Sequence, residues 1–208
     1  MRATTKLRAR TLLGDLPQRL RLLKYRALST CEHVSGSPVL LQPVLFLGEG
    51  TIILGRDVEF GWPTSALFHT GYCHIEASTP ESAIEFGDGV QVNNNVFIKS
   101  EGPGIRIGAR ALLGSGVTIY DSDFHDLRPN RRRDGQPRMA PVELGEDVFV
   151  GDGVKILKGV SIGAHSVVGA GSVVSTSIPA GVIAAGNPAR VIRTLSEEPA
   201  EDRVVALR

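Results

Sequence analysis

The sequence predicts an all-β protein wound as a parallel β-helix, and three observations lead there. A six-residue period runs through the middle of the chain, the third residue of each unit is apolar, and the composition is rich in glycine and poor in aromatics. Cut in sixes, the chain reads IEFGDG, VQVNNN, VFIKSE over 84–101, then IRIGAR, ALLGSG, VTIYDS over 105–122. It resumes as VELGED, VFVGDG, VKILKG, VSIGAH, SVVGAG, SVVSTS over 142–177. The third positions are Phe86, Val92, Ile98, Ile107, Leu113, Ile119, Leu144, Val150, Ile156, Ile162, Val168 and Val174. A short fixed period with one buried apolar residue per unit is what stacked coils require, because each unit forms one short strand and three close a triangle. The 24 glycines, 12 prolines and 5% aromatic residues fit a narrow interior filled by small aliphatics and turned by many corners.

The elements follow in chain order. Residues 1–44 are a basic lead-in, in which leucines at 12, 13, 16, 20, 23 and 28 alternate with arginines and predict a short helical region interrupted near Gly14 to Pro17. Two readings of it stand. The leucines pack on the end of the β-helix with the arginines in water, or the segment is a basic interfacial helix that meets an anionic membrane or a lipid-linked substrate. Residues 45–194 form the β-helix. Its first, irregular coil is LGEGTIILGRDVEFGWP at 47–63, while 66–79 fit strand and turn equally well. Glycines at 87, 108, 114, 145, 151, 163 and 169 follow the apolar position, where a tight corner is expected to need a residue without a Cβ. The repeat stops at YDSDFHDLRPNRRRDGQPRMAPV, 120–142, so a protruding loop is expected over 123–141. Residues 195–208 are a polar tail ending in a short apolar run.

The totals exclude several classes. A net charge of +1 over 208 residues gives no general affinity for nucleic acid. Residues 1–30 nevertheless carry eight basic residues against Asp15, a net +7 that leaves −6 to the remainder. Cys31 and Cys73 have no metal or redox spacing, no apolar run is long enough to span a bilayer, and no secretory pattern opens the chain. A cytoplasmic protein, at most peripheral to the inner membrane surface, is expected.

Three stretches carry a resemblance to a known family. FHDLR with its basic loop, leading into PVELGEDVFVGDGVKILKGVSIGAHSVVGAGSVV, resembles the galactoside, maltose and xenobiotic branch of the hexapeptide-repeat acetyltransferases. VNNNVFI at 92–98 is similar to that branch's asparagine-bearing strand beside the acceptor, and IPAGVIAAGNPARVIR at 178–193 to its closing segment near coenzyme A. The resemblance implies a left-handed β-helix, a homotrimer with sites between subunits, and transfer of acetyl from acetyl-CoA to a hydroxyl of a sugar or glycoconjugate, with no metal.

It also implies roles for particular residues. His125 becomes the general base, chemistry suited to an imidazole that titrates near neutrality, with Asp121 or Asp123 to orient it. The backbone N–H of Asp152 becomes the oxyanion donor. Asn93, Arg128 and Arg131 are candidates to contact the acceptor. Phe149, Gly151, Gly169, Ala170, Ser175, Thr176, Arg190 and Arg193 are candidates to line the coenzyme A channel, the two arginines at its phosphates.

Two other classes are weighed. A prism of this kind can be a noncatalytic scaffold, since fold alone does not imply activity. It also hosts zinc carbonic anhydrases that use three histidines, and His69 and His74 in HTGYCH, with His33 two coil lengths upstream, supply that count and spacing.

Overall fold

The computed structural model of the protein describes residues 16–195. After a helix over residues 16–28, eighteen short strands make six triangular coils. The first coil is β1 (His33–Ser35), β2 (Val39–Leu40) and β3 (Val44–Leu47); the second is β4 (Thr51–Leu54), β5 (Glu59–Phe60) and β6 (Cys73–Ala77). The third is β7 (Ala83–Phe86), β8 (Gln91–Val92) and β9 (Phe97–Ser100); the fourth is β10 (Ile105–Ile107), β11 (Leu112–Leu113) and β12 (Thr118–Tyr120). The fifth is β13 (Val142–Leu144), β14 (Phe149–Val150) and β15 (Lys155–Ile156); the sixth is β16 (Ser161–Ile162), β17 (Val167–Val168) and β18 (Val173–Val174). An antiparallel pair, β19 (Val182–Gly186) and β20 (Ala189–Thr194), closes the stack.

In the coils each strand pairs in parallel with the third strand after it, so the prism has three faces. The first face runs from β1 to β16, the second from β2 through β17 to the closing pair, and the third from β3 to β18. The coil is left-handed, as expected. It begins earlier than the hexapeptide pattern reveals: β1 starts at His33, so the lead-in assigned to residues 1–44 includes most of the first coil. The tail after residue 195 and the leucines at 12 and 13 lie outside the described residues.

All twelve periodic apolar residues are buried, none more than 2% exposed. A second inward column escapes the one-per-unit reading. Val90, Val96, Ala111, Val117, Val148, Val154 and Val160, two positions before the first column, are also fully buried. At the top of this column Ser166 and Ser172 replace valine and turn their hydroxyls to the carbonyls of Pro179 (2.8 Å) and Gly169 (2.5 Å), which keeps the buried oxygens paired. In the first three coils Phe46, Phe60 and Phe86 pack edge to face, with centroids 6.2 and 5.6 Å apart.

The corner glycines need correction in their reason. Gly87, Gly108, Gly145 and Gly163 do not have left-handed φ; the left-handed corners fall two residues later, at Gly89, Arg110, Asp147 and His165. The glycines are required because the next coil presses on them. A Cβ on Gly145 would stand 2.5 Å from the backbone nitrogen of Ala164 and 2.7 Å from its Cα. Gly116, by contrast, has φ +68° and open space where its Cβ would be. Gly145→Ala should therefore cost about 3 kcal/mol through overpacking, and Gly116→Ala only about 1 kcal/mol of left-handed strain. Urea unfolding of the two variants measures the difference, and equal costs would show that corner conformation, not coil spacing, selects glycine.

Candidate functional site

Departures from the repeat are held by buried polar side chains. Residues 121–141 leave the edge between the third and first faces, where Asp121 turns inward. Its carboxylate is fully buried and accepts from Ser100 Oγ (2.6 Å) and from the N–H groups of Glu101 (2.9 Å), Gly102 (3.3 Å) and Gly104 (3.0 Å). The base of the loop is closed by a Ser122–Met139 bridge and by Asp123 N–H to the Arg138 carbonyl (3.0 Å). Asp121 is thus spent on the backbone. Asp123 is not: its Oδ1 meets Lys158 Nζ at 2.7 Å, and its buried Oδ2 takes no hydrogen bond among the described residues.

His125 is exposed at the mouth of a groove lined by Phe97, Lys99, Glu101, Tyr120 and Phe124. Phe97 and Lys99 of β9 and Tyr120 of β12 project from the third face because their neighbours Ile98, Ser100 and Ile119 point inward, while Glu101 follows β9 and Phe124 opens the loop. Phe97 packs on Tyr120 and Tyr120 on Phe124, with centroids 5.6 and 5.0 Å apart. On the other side His74 stacks flat on Phe97 at 4.4 Å and binds Glu76 through Nε2 at 2.8 Å. Lys99 lies between Glu76 (3.0 Å) and Glu101 (3.7 Å) and over the Phe124 ring. Burial alone would push the Glu76 carboxyl up, but bonds from His74, Lys99 and Ser78 outweigh it and hold the group below the usual carboxylate range. Apart from His125 and His74, none of these residues was singled out individually from the sequence. The signal was the alternation in FIKS and TIY, which places Phe97, Lys99 and Tyr120 between the buried positions of an otherwise aliphatic repeat.

The loop arginines are engaged within the loop. Arg128 pairs with the nearly buried Asp126 through both of its carboxylate oxygens, at 2.9 and 2.5 Å, and Arg131 approaches the same group at 3.9 Å. Those contacts hold the Asp126 carboxyl well below its ordinary range. Arg128 is therefore less available to an acceptor than its exposed position implies.

A second groove lies on the second face and its edge with the third. Trp62, Asn93, Leu112, Phe149 and Asp152 line it, with Phe149 44% exposed. Asn93 donates from Nδ2 to Ser65 Oγ at 3.1 Å and supports Asn94 N–H with its Oδ1, while Asn94 is the buried staple that holds the Trp62–Ala66 turn through three carbonyls. The Asp152 carboxylate accepts Ser115 N–H at 2.7 Å, which ties its charge to the neighbouring coil, and its own N–H has no backbone partner among the described residues. Gly151, Gly169 and Ala170 continue this edge, and Gly169 N–H bonds the Ala184 carbonyl beneath Ala185, the partner of Arg190 in the closing pair. The guanidinium groups of Arg190 and Arg193 are exposed and make no ion pair among the described residues. Ser175 and Thr176 are exposed after β18, on the His125 edge. The predicted residues thus divide between two edges of the third face, with His125 in one groove and Asp152 in the other.

The three-histidine alternative is not formed within the chain. His33 opens β1 on the first face, His69 lies in the turn before β6, and His74 projects from β6 on the third. Cys73 between them is buried, and burial pushes its thiol up to about 12, so it stays protonated. Among the described residues only Glu146, Asp147 and His165 cluster as cation ligands would, and Arg110 already bonds both carboxylates there.

Comparison with known proteins agrees with this architecture. The model of the bacterial transferase hexapeptide family (six repeats) matches residues 141–176. SAR2635 of Staphylococcus aureus (strain MRSA252), named provisionally as an acetyltransferase, is 33% identical over 137 residues, which cover 64% of this chain and 68% of that one. The galactoside O-acetyltransferase of Lactococcus lactis (strain IL1403) is 37% identical over 114 residues, 55% of this chain. This chain spans only 54% of that enzyme's length. Among solved structures, the polysialic acid O-acetyltransferase OatWY superposes with a TM-score of 0.59 at 19% identity, covering 84% of this chain and 93% of that one, a likeness of fold. The chain belongs to the bacterial hexapeptide-repeat transferases.

The different employment of the two aspartates is testable. Asp121→Ala strands four donors and should cost about 3 kcal/mol or more, whereas Asp123→Ala removes one partly exposed pair and should cost about 1 kcal/mol or less. Thermal unfolding of both variants checks this, and the reverse order would place the loop's anchor at Asp123.

Proposed function

We propose that the protein transfers acetyl from acetyl-CoA to a hydroxyl of a sugar or glycoconjugate, with His125 as general base. The observation that carries this reading is the groove at His125. Its rings offer apolar faces to the C–H face of a pyranose, and Glu101 and Lys99 beside them offer an acceptor and a donor to hydroxyls. The galactoside O-acetyltransferase among the relatives supports a sugar acceptor.

Acetyl-CoA supplies the activated acyl carbon. His125 takes the proton of the acceptor hydroxyl as its oxygen bonds that carbon, and returns it to the thiolate released when the C–S bond breaks. Asp123, with one carboxylate oxygen unpaired, orients the imidazole, a task for which Asp121 has no capacity left. The Asp152 N–H receives the oxyanion, with the Asp152 carboxylate restrained by Ser115. Gly151, Gly169, Ala170 and Phe149 form the channel wall, and Arg190 and Arg193 meet the phosphates. The separation of the His125 and Asp152 grooves supports a homotrimer in which the edge of one subunit faces the other edge of its neighbour.

Calorimetric titration with acetyl-CoA tests the reading without knowledge of the acceptor. Saturable binding near one per chain is expected, and absence of binding overturns the proposal. His125→Ala should lower turnover about 10² to 10⁴-fold with acetyl-CoA affinity nearly unchanged; full turnover in that variant would remove His125 from the mechanism.

A further inference from the structure

The helix over residues 16–28 is turned opposite to the usual arrangement, and opposite to the reading in which its leucines pack on the prism. Its docked side is anchored by polar groups, with Leu22 partly buried beside Gln18. Gln18 Nε2 donates to the Leu41 carbonyl at 2.7 Å, Arg21 donates to the carbonyls of Phe68 (3.1 Å) and Gly71, and the Tyr25 ring lies 4.7 Å from that of Tyr72. The outward side is apolar. Leu16, Leu20 and Leu23 are 61%, 58% and 63% exposed. At about 100° per residue these three and Ala27 fall on one narrow stripe, diametrically opposite Gln18, Arg21 and Tyr25. The exposed Arg19 and Arg26 flank the stripe on one side and Lys24 on the other. No acidic residue occurs between 16 and 28, where the sequence carries four basic ones.

A second copy of the helix is a poor cover for this stripe, because it would set Arg19, Lys24 and Arg26 against their like. No described helix is long and apolar enough to cross a membrane. A stripe of leucines between two rows of cations matches a surface that is apolar in depth and anionic at its boundary. We infer that this helix docks the protein on an anionic lipid bilayer, with Leu16, Leu20 and Leu23 entering the acyl boundary and Arg19, Lys24 and Arg26 at the lipid phosphates. Tyr25 also begins a row of rings, through Tyr72, His74 and Phe97, that ends at Tyr120 and Phe124. The docked helix and the His125 groove therefore share the third face. The docking itself does not rest on the acetyl-transfer reading.

The test is co-sedimentation of the full-length protein with extruded vesicles, of phosphatidylcholine alone or with about one third phosphatidylglycerol. Binding to the anionic vesicles should be at least about 10-fold tighter than to the neutral ones and should weaken with salt. The L16Q/L20Q/L23Q variant, which keeps helix propensity and removes only outward side chains, should lose at least about 10-fold of that affinity with unchanged circular dichroism. R19Q/K24Q/R26Q should weaken it too. Failure of the wild-type protein to bind anionic vesicles overturns the inference. So does equal binding by the leucine variant, which would leave only nonspecific charge attraction. A fall in solution mass of the leucine variant, with no vesicle binding by the wild type, would assign the stripe to a second copy and overturn it as well.

Discussion

Coils about 4.8 Å apart leave no room for variation in the backbone, and that spacing governs what every side chain can do. Where one coil's corner touches the next, as at Gly145 beneath Ala164, even a methyl group is excluded. Within the coil the same spacing stacks Val90, Val92 and their counterparts into continuous columns that leave no space for a ligand. The interior is solid. Chemistry is therefore confined to side chains that point outward from a strand or to segments that leave the coil altogether.

Leaving the coil exposes backbone groups that the ladder would otherwise pair, and each departure is met by a buried polar side chain. Asn94 and Gln42 hold the turns after β5: Asn94 binds the Trp62, Ser65 and Ala66 carbonyls, and Gln42 bonds the Leu67 carbonyl and Asn95 N–H. Asp121 does the same for residues 101–104 at the root of the long loop. These groups rigidify the two places where the prism has irregular walls, and the two candidate grooves lie beside them. Local disorder of the pattern is thus matched by local order in the hydrogen bonding.

The fold was legible because a period of six leaves a column that any apolar residue reveals, and the long loop was legible as its interruption. The second column was hidden by its composition: valine next to a turn reads as one more small residue, and Ser166 and Ser172 break the pattern at its end. The first coil was hidden because β1 and β2 lack the Leu-Gly pairs that mark later corners. The orientation of the helix was not legible, for a physical reason. Amphipathicity identifies the apolar stripe but not which side the protein needs, and here backbone carbonyls at Leu41, Phe68 and Gly71 offered better partners to Gln18 and Arg21 than the prism offered to leucine. At the site, the family resemblance pointed to His125 and Asp152, but only topology reveals that the width of the third face separates their edges.

That separation has a structural logic. A filled prism can offer only shallow surface grooves, and a groove open along one side cannot exclude water from a reacting thioester. Depth must come from a second surface laid over the first. The edge carrying Asn93, Phe149 and Asp152 presents apolar, partly exposed side chains, while the edge carrying His125 has the long loop beyond it and Tyr120 and Phe124 at its foot. Two such edges are complementary in form, one flat and one walled, and a cyclic assembly would bring each against the other once per subunit. The loop that breaks the repeat then becomes the wall that the repeat itself cannot build.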